Sequence, residues 1–217
     1  MSEDRKPVRV AVNVMRTRMT VIGFNIAVVS FQIAQLKSAE DGLKLPGVAH
    51  RVHVVADMEL YMALALSVFA LLTFIMSCEL DEVGYCTHWA LVAGDLLMYL
   101  ALAHTLAGFF APMAKTIEMV ASNLPDKASE IYILQSASIV AGGGAWFLAT
   151  YAGPLVSLMR SPFGRRTNIA LGIAYVLMLL VLCWLTAQTV RVESAVAGDE
   201  PGLIFSVLRE LVQPLRW

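Results

Sequence analysis

The stretch RMTVIGFNIAVVSFQIAQLK, Arg18–Lys37, decides how the rest of the chain is read. An arginine stands at its front and a lysine behind it, and no residue between them is charged. A helix needs about 20 apolar residues to cross hydrocarbon, so this run is long enough to span. It also carries Asn25, Ser30, Gln32 and Gln35. A side-chain amide left in hydrocarbon without a partner is strongly disfavoured. The segment must therefore enter a membrane and keep its amides on protein or enclosed water.

Arg18, Asn25 and Gln32 are seven residues apart. Seven residues turn an α-helix by about 700°, which returns within about 20° of the start. The three form one longitudinal polar stripe, with Gln35 on its edge. Two readings are open. The stripe lines an axis among copies of the chain, or it bonds to neighbouring helices and holds the bundle together. Ile22, Val29 and Ile33 are read as apolar surface away from it.

The composition places the whole chain in the same class. Of 217 residues, 58% are hydrophobic and 15% charged, with a mean hydropathy of +0.68. A soluble domain carries about a quarter charged residues. A net charge of −1 without a basic stripe argues against nucleic acid as a partner. Five runs qualify as spans: Thr20–Leu36, Leu60–Ser77, Trp89–Met113, Ile133–Met159 and Ile169–Val190. The expected fold is all-α, a polytopic membrane helix bundle of about five transmembrane helices plus a C-terminal amphipathic surface helix. Residues 1–192 form the bundle. Residues 193–217 form a tail in which Leu203, Val207, Leu211 and Leu215 share one face.

The first run is too long for the apolar part of a signal peptide, and no cleavage site follows, so it is read as a retained span. Arg5, Lys6, Arg9, Arg16 and Arg18 precede it, and Arg160, Arg165 and Arg166 lie between spans four and five. The positive-inside tendency then puts the N-terminus in the cytoplasm. Cys78 and Cys86 flank a short acidic turn on that side, where they are expected as reduced thiols. The turn makes spans two and three antiparallel neighbours. After span three, Met113, Ile117 and Val120 recur at helical spacing and are read as a helix on the bilayer surface. In span four, Gly142–Gly144 invite close helix approach and Pro154 predicts a kink.

Ionisable residues in spans are expected to be functional. Asp95 is read as the only acid deep in any span, a proton or cation relay. His88, seven residues before it, shares its face, and His104, nine after, points the opposite way. Bis-histidine haem is not expected, because sixteen residues set His88 and His104 about 24 Å apart on different faces. His50, His53 and Asp57 stand at i, i+3 and i+7. On a helix they would offer two imidazoles and a carboxylate to a divalent metal. No nucleophile–base set, redox CxxC or cofactor fingerprint is present to support catalysis.

The segment RTRMTVIGF, Arg16–Phe24, followed by a span ending in glutamines, resembles the first helix of Orai-type calcium channels. VFALLTFIMSCEL in span two and PLVSLMRS after span four are loosely similar to the matching helices. The resemblance implies a first helix lining the pore of a homo-oligomer, with a basic residue at its mouth. The family's acid at the outer end of that helix has no counterpart, since Phe31 and Gln32 stand near its place. Calcium selectivity is therefore not implied.

Three functions follow as expectations. The first is a homo-oligomeric protein that forms or gates an ion-conducting pore, with span one near the axis. The second is a structural or accessory subunit bound to other membrane subunits. The third is a membrane-bound metal or redox enzyme using His50, His53 and Asp57.

Overall fold

The computed structural model describes residues 8–9, 12–36, 53–79, 85–86, 89–197 and 202–217, and every structural statement below concerns these. The chain is an integral, multi-pass membrane protein built as an all-α bundle. Five helical spans are long and apolar enough to cross a membrane. They are α1 (Val12–Leu36), α2 (Val54–Ser77), α3 (Ala90–Asn123), α4 (Ala128–Phe147) running on into α5 (Gly153–Met159), and α6 (Arg165–Ala197). A short helix α7 (Leu203–Glu210) and a 3-10 turn (Gln213–Arg216) follow. Three two-residue strands, β1 (Val8–Arg9), β2 (Cys78–Glu79) and β3 (Tyr85–Cys86), pair antiparallel in the order β1-β3-β2. They tie the start of α1 to the α2–α3 connection and mark what is called here the near end of the bundle.

The helices overrun the spans read from the sequence. The largest difference is at α3, which continues through Pro112 to Asn123. Met113, Ile117 and Val120 thus belong to α3, not to a separate surface helix. Their helical spacing was real, but it was the periodicity of one long helix. Its 34 residues reach about 51 Å at 1.5 Å per residue. That exceeds about 30 Å of hydrocarbon.

Burial shows which helix is central. In the most apolar window of each span, 67% of α3 is buried, against 44% for α2 and 17% for α1. Leu66 of α2, Val92, Leu96 and Leu100 of α3, and Leu179 and Leu182 of α6 pack into one core. Two glycines make close contacts possible. A Cβ on Gly94 would lie 2.8 Å from the Phe74 ring, and one on Gly142 would lie 2.5 Å from Phe110. The glycine run of span four thus receives an aromatic ring of α3. The outer surface is apolar, with Phe24, Phe31, Val140, Ile173, Val176 and Trp184 exposed. Such a surface is compatible with lipid and not with water.

Pro154 shapes the fourth span. It has no N–H to give the carbonyl four residues earlier, that of Thr150. The backbone widens into a π-helical turn over Leu148–Ala152, and the Tyr175 hydroxyl of α6 donates to the released Thr150 oxygen at 2.5 Å. The π-helical turn is therefore braced from the neighbouring helix.

The C-terminal helix is amphipathic, but it presents a polar face to the bundle. Ser206, Glu210 and Gln213 are buried, whereas Ile204, Phe205 and Leu208 are exposed. The stripe expected from Leu203, Val207, Leu211 and Leu215 divides. Val207 and Leu211 pack on the core, and Leu215 is 72% exposed. Tyr151 donates to the Leu211 carbonyl at 2.5 Å, and Trp217 stacks on Phe110 with centroids 5.6 Å apart. The segment closes over the end of the bundle opposite β1–β3, called here the far end.

Candidate functional site: two buried ionic centres

The near-end centre is assembled by α1, α2, α3 and α5. Arg18 reaches Asp95 through both arms: Nη2 donates to Oδ2 at 2.7 Å and Nε lies 2.7 Å from Oδ1. Only the Nη2 arm makes a hydrogen bond; Nε is an ion-pair contact, and Oδ1 accepts no hydrogen bond among the described residues. Ser157 of α5 donates to Asp95 Oδ2 at 3.3 Å. The guanidinium also lies over the Phe74 ring, 5.7 Å from its centroid. Phe74 can stand there because residue 94 is glycine.

About two turns further along α1, Asn25 is buried and donates from Nδ2 to Ser67 Oγ at 3.0 Å. Ser67 in turn donates to the Ala63 carbonyl at 2.8 Å. The polar stripe of α1 is therefore held by other helices of the same chain at Arg18 and Asn25. Gln32 is half-buried and Gln35 exposed. Ile22 and Val29, read from the sequence as surface away from the stripe, are 1% and 0% exposed. They lie within about 60° of Asn25 around the helix. The stripe and its apolar flanks are one mixed face, packed on α2 and α3.

The far-end centre was not visible in the sequence reading, which named Asp95 as the only deep acid. Glu59, in the second turn of α2, is 1% exposed. The span was read as starting at Leu60, so Glu59 was left just outside it. Its Oε1 accepts from Thr186 Oγ1 of α6 at 3.0 Å and from Gln213 Nε2 at 2.9 Å. Its Oε2 is bonded to His104 Nδ1 of α3. Since a carboxylate only accepts, His104 Nδ1 carries the hydrogen of that bond. Four elements thus meet on one carboxylate, as a buried charge requires.

A cavity of about 20 Å³ adjoins this centre, lined by Glu59, His104, Thr150, Cys183, Glu210 and Gln213 among others. A single water needs about 10–15 Å³ of such space. A second, larger cavity of about 660 Å³ lies at the far end. His53, Lys115, Glu118, Gln135, Glu193 and Arg209 supply its polar lining. Across it, Lys115 Nζ donates to Glu193 Oε1 at 2.9 Å, and Glu193 Oε2 accepts from the Val55 N–H at 3.4 Å.

The remaining sequence candidates separate. His104 and Asp95 occupy different centres, on opposite sides of α3 as their nine-residue spacing requires. His88 and His50 lie outside the described residues. His53 and Asp57 are half-buried at the start of α2. Among the described residues, no group of three or more His, Cys, Asp or Glu side chains is placed to hold a metal ion. Comparison with protein-family models, with curated proteins and with solved structures gives no match.

Proposed function

We propose that the protein passes ions across the membrane or gates their passage, protons foremost, along the interior of its own bundle. Glu59 is the group on which the passage depends, with His104 as its proton partner. One observation carries the reading. A carboxylate 1% exposed is bonded to an imidazole inside membrane-spanning helices, beside a cavity of one-water size. Ionisable groups are disfavoured in that setting and mark ion or proton paths. A carboxylate and an imidazole are also the side chains best suited to exchange protons near neutral pH.

The pore of several copies around α1, as in the Orai-type resemblance, needs Arg18 and Asn25 turned to the axis. Their bonds to Asp95 and Ser67 favour a path inside one chain instead. Copies of the chain, or other membrane subunits, are proposed as neighbours in the bilayer. They would meet α1 on its exposed side at Phe24 and Phe31.

The test is proton uptake into liposomes holding the purified protein, driven by a potassium diffusion potential and read with a pH-sensitive dye. The parent should exceed empty liposomes, and Glu59→Gln should abolish the excess. A parent no better than empty liposomes, or a Glu59→Gln variant equal to the parent, overturns the reading.

A further inference from the structure

The two far-end cavities lie one above the other on the same helices. Ala56 lines the large one and Glu59 the small one, three residues apart on α2. On α6, Val190 lines the large cavity and Thr186 the small one, four residues apart. These intervals are about 5 Å along a helix axis. The C-terminal segment contributes to both walls: Arg209 and Trp217 face the large cavity, and Glu210 and Gln213 the small one. The layer between the cavities is therefore about one helical turn thick, and Gln213 lines its small-cavity side.

The large cavity is wet in character. Lys115 has 66% of its side chain exposed, and Glu193 has 28%. The small cavity has a polar wall with unmet need. Thr150 is fully buried, and its Oγ1 has no hydrogen-bond partner among the described residues. A water there would have Thr150 Oγ1 and the carboxylates of Glu59 and Glu210 in its wall, and buried waters bond about three polar groups. We propose that the small cavity holds one ordered water beside Glu59. The large cavity is the water-filled vestibule through which that site is reached from the far side, and Gln213 is the removable seal between them.

The seal has the right chemistry for the task. Gln213 is uncharged and belongs to a short 3-10 turn rather than to a span. One bond of 2.9 Å ties its amide to Glu59, while Thr186 and His104 hold the carboxylate without it. Withdrawing Gln213 would open a way from the vestibule to Glu59 and leave the rest of the centre intact.

Cys183 reports on this directly, because it lines the small cavity and is buried and free. With Cys78→Ser and Cys86→Ser it is the sole thiol of the chain. The protein in lipid nanodiscs is treated with 2-aminoethyl methanethiosulfonate, and labelling is timed by intact mass. Gln213→Ala should raise the rate by about tenfold or more, the change expected when one charge-assisted bond stops holding a local opening closed. Ser194 also lines the large cavity, so adding Ser194→Trp should obstruct the vestibule and return the rate towards the parent's. If Gln213→Ala does not fold, Gln213→Asn, which shortens the arm by one methylene, carries the same expectation.

A control with Ala70→Cys and Cys183→Ser places the thiol in the near-end core, where Ala70 is 0% exposed. An unchanged rate at Cys183, equal acceleration at Cys183 and at position 70, or acceleration that survives Ser194→Trp would each overturn the proposal. The inference rests on the proposed role of Glu59 for its purpose, but labelling reports access whether or not ions move. Labelling as expected without proton flux would retire the transport reading and leave the access path standing.

Discussion

The near-end and far-end centres both bury a carboxylate, yet they differ in what surrounds it. Asp95 faces a permanent cation, Arg18, through one hydrogen bond and a close ion-pair contact. Glu59 faces an imidazole, a hydroxyl and an amide, with a one-water cavity and a second acid, Glu210, beside it. A guanidinium cannot give up its proton, so in the first centre Arg18 stays a permanent cation and its pair with Asp95 ties α1 to α3. The second contains groups that can exchange protons, and one of its donors arrives from the C-terminal segment. The difference teaches that a buried charge is not a functional sign by itself. Its partner decides whether it is a tie or a relay.

The largest expected effect breaks the tie. Asp95→Ala leaves the half-buried Arg18 without its anion and should destabilise the folded protein by about 3 kcal/mol, the lower end for a broken buried pair. Denaturant unfolding in detergent measures this. The double variant Arg18→Met with Asp95→Leu should recover most of the loss, because an apolar pair of similar volume often replaces a buried ion pair without penalty. A double variant as unstable as Asp95→Ala would show that the ion pair has another role.

Glu59→Gln sharpens the other side. It keeps the shape of the side chain but turns one accepting oxygen into an amide, so about 1–3 kcal/mol should be lost. The variant should fold, and its proton flux should vanish. Flux retained in Glu59→Gln but lost in Asp95→Asn would exchange the roles of the two centres.

A smaller effect is expected where the π-helical turn is braced. Tyr175→Phe removes the donor to the Thr150 carbonyl and should destabilise by about 1 kcal/mol. Pro154→Ala returns a backbone N–H that can serve the same oxygen. In that background the Tyr175→Phe loss should shrink, and a double-mutant cycle reads the coupling. Additive losses would mean that Tyr175 does not compensate for Pro154.

The smallest effect belongs to the vestibule rim. Lys115→Ala removes an exposed ion pair with Glu193 and should change stability by less than about 0.5 kcal/mol. A loss comparable with that of Asp95→Ala would show that the vestibule is not open to water.

The sequence alone determined the class of the molecule. Long runs free of charge can be stable only in a bilayer or a dry core, and five of them leave no other architecture. It also placed the polar stripe of α1, because helical periodicity is a local property. Arg18 and Asn25 lie on the buried face as that periodicity requires. Which partner the stripe meets was not local: Asp95 is 77 residues from Arg18, and Ser67 is 42 from Asn25. The sequence also placed Glu59 at the edge of a span, where an acid ordinarily reaches water. Only the tertiary structure turned it inward, by bringing Thr186 and Gln213, 127 and 154 residues away, to its carboxylate. The same holds for α7. Its moment along the sequence gave a helix with two faces, and the buried polar groups waiting at the far end decided that the polar one turned in. A buried charge selects its partners through space, and the spacing of residues along the chain carries no record of that choice.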